Sequence, residues 1–436
     1  MVVIVLAATA VVPAFGAGTK TSRVNVASNG DEANWYTNGP RISADGRYVV
    51  FDSGASNLVA GDTNFAQDIF VHDRNTGETT RVSVASDGTQ SENERDSGHA
   101  SISADGRYVA FYSRASNLVP GDTNGVGNGY EDVFVHDRNT GETTRVNVDS
   151  SGHQSIGPTF GQSPPSISAD GRFVAFQSGA INLVAGDTNA SDDVFVHDRV
   201  SGETTRGSVA SNGDEANFGG YLPTITADGR YVTFQSGATN LVAGDTNESY
   251  DGFVHDRVSG KTTRVSVSTK GAESPFEVGS YSTTISADGR YVTFESPATN
   301  LVPHDTNAVI DVFLRDLKSG TTSRVSLTNT GAQAHGDSDL PTISADGRYV
   351  AFYSDASDLV RGDNNTYGDE FVHDRVTGRT VRVSVATDGT EANSSSINGP
   401  LISADGRYVA FLSYASNLVP GDTNDKPDVF VRRPLR

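Results

Sequence analysis

Seven times along the chain an aspartate, an asparagine two residues on and a later aspartate share one short polar loop. The sets are Asp62, Asn64, Asp68; Asp122, Asn124, Asp132; Asp187, Asn189, Asp193; and Asp245, Asn247, Asp251. They continue with Asp305, Asn307, Asp311; Asp363, Asn365, Asp369; and Asp422, Asn424, Asp428. Oxygen ligands at alternate loop positions, closed by a further carboxylate, are what a hard cation such as calcium takes up. The same residues also build turns unaided, since Asp and Asn side chains bond to nearby backbone and the last Asp can cap the strand that follows. The loops lack the Gly and terminal Glu of an EF-hand. Calcium, the one cofactor the sequence suggests, and turn formation thus stand as two readings of one loop.

A second chemistry sits on the links that differ most between units. Trp35, Tyr36, Phe160, Phe218, Tyr221, Phe276 and Tyr281 lie there among Gly, Ser and Asn. Aromatic rings exposed on loops give large, stiff contact area for a protein or a glycan; folded back over the core, they would be plugs. His72, His136, His197, His255 and His373 recur in an "HDR" phrase, but Arg315 and Arg432 replace the imidazole in two units. A position that accepts Arg reads as a hydrogen-bonded packing motif rather than a metal or acid–base site. His153, His304 and Arg361 are visible breaks in the repeat. No nucleophile elbow, H-E-x-x-H pair or P-loop occurs, so no catalytic residue is assigned.

These residues are positioned by a repeat. The Asp of each "ADGR", at Asp45, Asp105, Asp170, Asp228, Asp288, Asp346 and Asp405, recurs at spacings of 60, 65, 58, 60, 58 and 59. Each unit holds four short runs rich in β-branched and aromatic residues, strands A to D. Asp-Gly and Asn-Thr-Gly links make A to B and C to D tight hairpins. Runs such as "YVAF" and "VFV" are apolar at consecutive positions, as strands covered on both faces require. Seven four-stranded sheets stacked around an axis meet that requirement, so an all-β, seven-bladed propeller is expected. The last unit ends at "DVFVRRPLR" without its fourth strand, while "TSRVNV" at 21–26 matches strand D. The N-terminal strand should therefore complete the last blade and close the ring. Long B to C and D to A links then decorate one face and leave the other plain.

The phrase "SADGRYVAF…DVFVHDRxTGETTRVSV" resembles the TolB-type, WD40-like propeller repeat over about residues 21–436. The resemblance implies an envelope or secreted propeller that binds something, most often protein. These units are longer than the family's usual repeat, and the α/β domain preceding the TolB propeller is absent.

A net charge of −21 and a pI near 4.7 set the surface against nucleic acid and anionic membranes. With no cysteine, disulfides, thiolate metal sites and cysteine nucleophiles are excluded. Residues 1–17 read as a signal peptide: Val2 to Phe15 is an apolar stretch too short to span a bilayer and small residues follow, while no basic residue precedes it, as a truncated start would explain. The expectation is a single propeller over 18–436, secreted or associated with the periplasm or cell envelope, monomeric and without a membrane span. It would act as a non-catalytic binding or scaffold module for protein or glycan through the loop-rich face, with calcium as a stabiliser. The competing readings are a metal-assisted polysaccharide lyase or hydrolase with its site in the funnel, and a purely structural surface protein.

Overall fold

The computed structural model describes residues 19–124, 130–157, 159 and 163–433. The leader expected at 1–17 and the candidate Phe160 lie outside the described residues. Seven four-stranded antiparallel sheets form the blades of a propeller, each in the order A-B-C-D. In blade one these are Thr37–Ile42, Tyr48–Ser53, Asp68–Asp73 and Glu78–Arg81. In blade seven the outer strand is Thr21–Arg23, paired with Asp428–Arg432 in the register Thr21 to Arg432 and Arg23 to Phe430. The ring is thus closed by the N-terminal strand, as the missing fourth strand predicts. Among the described residues no helix is long and apolar enough to cross a membrane.

The consecutive apolar residues of strands B and C face opposite neighbours. Val50, Ile69 and Val71 of blade one meet Val109, Phe111 and Phe134 of blade two. On its other side Val49, Phe51 and Phe70 meet Ala410, Leu412 and Val429 of blade seven. Within a blade, register partners such as Phe111 and Phe134 lie 5.9 Å apart. Burying each such ring contributes about 1.5–3 kcal/mol, so the interfaces between blades carry the hydrophobic stabilisation.

The plain face is closed by polar contacts that use the repeated phrases. Arg107 of "ADGR" makes a fork on Asp137 of "HDR", with bonds of 2.9 and 2.7 Å. The following Arg138 donates to Gly106 O at 2.6 Å and stacks 4.5 Å from the Tyr48 ring of the preceding blade. Gly106 sits at φ +76° against that ring, where a Cβ would come within 2.1 Å. Only glycine suits both the backbone and the contact.

The "HDR" imidazoles are structural. His136 Nδ1 meets Thr143 Oγ1 at 2.9 Å, and that hydroxyl donates to Val84 O of the preceding unit at 2.6 Å. In blade five Arg315 donates to Thr322 Oγ1 at 2.9 Å and Ser268 O at 3.1 Å, replacing the ring like for like. Burial holds the His136 imidazole down at about 4. The unfolded chain therefore binds a proton first as pH falls below about 6.5, and each such His withdraws stability through that window. His136→Arg, which carries no such penalty, is expected to gain on the wild type by roughly 2–3 kcal/mol between about pH 7 and pH 4. Paired thermal melts across that range check this; a pH-independent gap would show that the imidazole is not held neutral.

Candidate functional site

The Asp-x-Asn loops lie at the rim of the decorated face. In blade four Asn247 accepts the Ser249 N–H at 3.1 Å, closing a turn, and donates to Asp251 at 3.1 Å and Ser274 at 3.0 Å. Asp251 is fully buried and accepts the Ser266 hydroxyl at 2.5 Å. The position between the two carboxylates is filled from within the chain. Arg264 of strand D lies 3.2 Å from Asp245, 3.0 Å from Asp251 and 2.6 Å from Glu273. Arg23, Arg81, Arg145, Arg206, Arg324 and Arg382 bridge the two loop aspartates in the same way in the other blades. One guanidinium cannot balance several buried anions: burial pushes Asp245 up to about 6, with Asp251 adding to the rise. Among the described residues, the carboxylate oxygens of three blades also converge within 4.8 Å of one another, as Glu32, Asp422 and Asp428, as Asp187, Asp193 and Glu215, and as Asp245, Asp251 and Glu273. The Asp-x-Asn spacing does not point to these glutamates, which lie on the D to A links.

The seven A strands line a central channel with a cavity of about 400 Å³. Isoleucine, proline, serine and threonine dominate its wall, and Arg41 is the one charged residue on it among those described. Strand A is bulged near the decorated face, between Asn38 and Arg41 in blade one and between Asp339 and Thr342 in blade six. The bulge residue takes positive φ, as Ser282 and Leu340 do. Its freed N–H is used between blades: Ser282 donates to Gln235 at 3.3 Å and Leu340 to Glu295 at 2.6 Å. His304, at φ +61°, and Arg361 are exposed on the rim, and His153 is paired with Asp149 at 2.9 Å in an exposed turn.

Three of the aromatic candidates come together around a ring not foreseen from the sequence. Tyr250, in the B to C link of blade four, lies 6.1 Å from Phe218, 5.9 Å from Tyr221 and 5.9 Å from Tyr281. Phe218 is 45% exposed, and the three tyrosines are half-buried. Trp35 and Tyr36 form a separate edge-to-face pair at 5.8 Å under the Lys426 ammonium, which is 4.5 Å from Tyr36. Phe276 is exposed and joins neither group.

The aromatic arc runs into an acidic one. Tyr281 pairs in register with Glu295 of blade five. Across the next interface, Asp339, Tyr353 and Glu370 are consecutive register partners in blade six and so project from one face of the sheet. Tyr353 donates to Asp355 at 2.8 Å. Burial, then Glu295, Asp355 and Asp337, push Asp339 up to about 7. Burial pushes Glu370 well above the usual carboxylate range. The sequence carried a signal for this: strand C reads "DEFVHD" only in blade six, where the other blades place Ile69, Val133, Val194, Gly252, Val312 and Val429.

Neither a protein-family model nor a curated protein sequence matches the chain. Solved structures do. An oligogalacturonate lyase in complex with manganese aligns over 96% of this chain and 96% of its own, at 13% identity and a TM-score of 0.54. The β-propeller domain of the Trilobed protease from Pyrococcus furiosus, described by an open velcro topology, aligns over 92% and 94%, at 11% identity and 0.54. TolB from Acinetobacter baumannii aligns over 73% of this chain and 60% of its own, at 15% identity and 0.39. The second of these is itself a propeller domain aligned almost end to end, and the likeness to the first two is one of fold alone. Propellers host unrelated functions, so the site alone speaks to activity.

Proposed function

We propose that the protein is a binding propeller, exported to the envelope or secreted, that holds a protein or glycan partner on its loop-bearing face. The observation that carries this is the four-ring arc of Phe218, Tyr221, Tyr250 and Tyr281 on one flank of the channel mouth. The histidines and arginines of the repeated phrases are committed to holding blades together, whereas these rings spend apolar area on a surface. Rings of this kind dominate binding where they cluster. Peptide and glycan arrays probed with the wild type and with Tyr250→Ala test the reading. A hit that weakens by about 2 kcal/mol or more in the variant is expected, and equal binding by both proteins would refute it.

Asp339 favours a second reading, as a carboxyl that titrates near 7 is suited to passing protons. The polysaccharide lyase or hydrolase alternative would place its acid or base there. Turnover of polyuronates or neutral glycans that Asp339→Asn abolishes would replace the binding reading with this one.

A further inference from the structure

Blade six contains acceptors without donors. Glu370 is 0% exposed and neither carboxylate oxygen has a hydrogen-bond partner. Asp339 Oδ1, on the same row of the sheet, is buried and equally unpartnered, as is Ser396 Oγ on the first residue of blade seven's inner strand. The buried aspartates of the repeated loops and of the "HDR" phrases each have an arginine, but Arg290, Arg324, Arg348 and Arg382 of blades five and six are all engaged with those aspartates. Unsatisfied buried oxygens cost free energy unless a donor arrives, and a group that brings both protons to donate and positive charge would satisfy them in their ionised form.

We propose that the acidic flank of the channel mouth receives an organic cation, the ammonium or guanidinium of a basic side chain or chain terminus, held by Asp339 with Glu370 behind it. The inference rests on the binding reading and names the chemistry of its partner. Asp339 is the accessible member, half-buried beside Leu340, which is 38% exposed and lines the channel. Asp355, exposed and fixed by Tyr353, and Glu295, whose Oε2 takes the Leu340 N–H, extend the negative field to both sides. The adjoining tyrosine arc offers ring faces, which attract the same kind of ligand. A net charge of −21 draws cations toward the mouth. A bare metal ion fits less well: the acidic groups whose oxygens converge within 4.8 Å are those of three arginine clasps, and Asp339, Glu295 and Glu370 are not among them.

The test is calorimetric titration of the full chain with acetyl-Gly-Arg-Gly-amide and with its citrulline counterpart, which keeps the shape and loses the charge. The arginine peptide should bind at least about tenfold more tightly. It should also release protons, read as a dependence of the apparent heat on the buffer's ionisation enthalpy, because a cation beside raised carboxyls favours their ionised form. Asp339→Asn should weaken binding about tenfold or more and suppress the release; Glu370→Gln, neutral and nearly isosteric, should fold normally and reduce the release. Equal affinity for the two peptides, or an unchanged affinity in Asp339→Asn, overturns the cation pocket while leaving the aromatic face intact. Manganese or calcium chloride alone competing with the arginine peptide would overturn it in favour of a metal. An array ligand lost in Tyr250→Ala together with no arginine-peptide binding defeats this inference but not the binding reading; loss of both results defeats both.

Discussion

Arg264→Ala is expected to destabilise the protein by about 3–5 kcal/mol, because it leaves buried carboxylates with no counter-charge. Asp251 and Asp245 expose 0% and 3% of their side chains, and Arg264 itself 9%, so water cannot replace what the guanidinium provides. Arg264→Lys should recover part of the loss, since an ammonium restores the charge without the fork that reaches Asp245, Asp251 and Glu273 together. Calcium should then separate the wild type from the variant. With the arginine gone, three carboxylates whose oxygens lie within 4.8 Å remain, the donor type calcium prefers. A calcium series should raise the melting temperature of Arg264→Ala, by the equivalent of about 2.7 kcal/mol at 100 times Kd, and leave the wild type unmoved. If the wild type responds and Asp→Ala at Asp187 and its equivalents in the other loops removes the response, calcium belongs to the repeated loop and the arginine is its neighbour rather than its substitute.

The architecture was legible because each of its causes is local. Hairpin glycines, two-sided apolar strands and a missing fourth strand each occupy a few adjacent residues, and together they admit one closed ring. The clasp was half legible. Spacing brought Asp245 and Asp251 together, but their cation is carried by Arg264 on a strand that returns antiparallel, with Phe253 opposite Arg264. An Arg ends strand D of every unit, so the signal was present; reading each loop in isolation missed it. The aromatic candidates stand out by their place on the variable links and by composition, which cannot tell which rings meet. Tyr250 carries no such signal, because it sits inside a loop whose spacing offers only the metal and the turn readings. Glu370 was hidden differently, as a single substitution at a strand position that the repeat makes apolar.

Closure of the ring carries the second large effect. A chain lacking residues 19–28 should lose more stability than any single substitution. The deletion takes away the outer strand of blade seven and Val24, 1% exposed in the cluster shared with blade one. It also removes Arg23, leaving Asp428 and Asp422 with 0% and 5% exposure and no counter-charge. Asn25 goes too, with its 2.6 Å bond to Asp428 and its acceptance of the Val429 N–H at 3.0 Å. The buried Arg432 loses Thr21 Oγ1, to which it donates at 2.7 Å beside its bonds to the Val385 and Ala386 carbonyls. These contacts join the two ends of one chain, so a synthetic peptide of residues 19–30 should restore them from outside by adding a strand to an exposed edge. Melting of the shortened chain with and without that peptide is the measurement. A large drop that the peptide reverses is the expected result, and Val24→Asp in the peptide should abolish the rescue by placing a charge in the apolar cluster. An unchanged melting temperature in the shortened chain would mean that blade-to-blade packing alone holds the ring, and that the terminal strand only covers an edge.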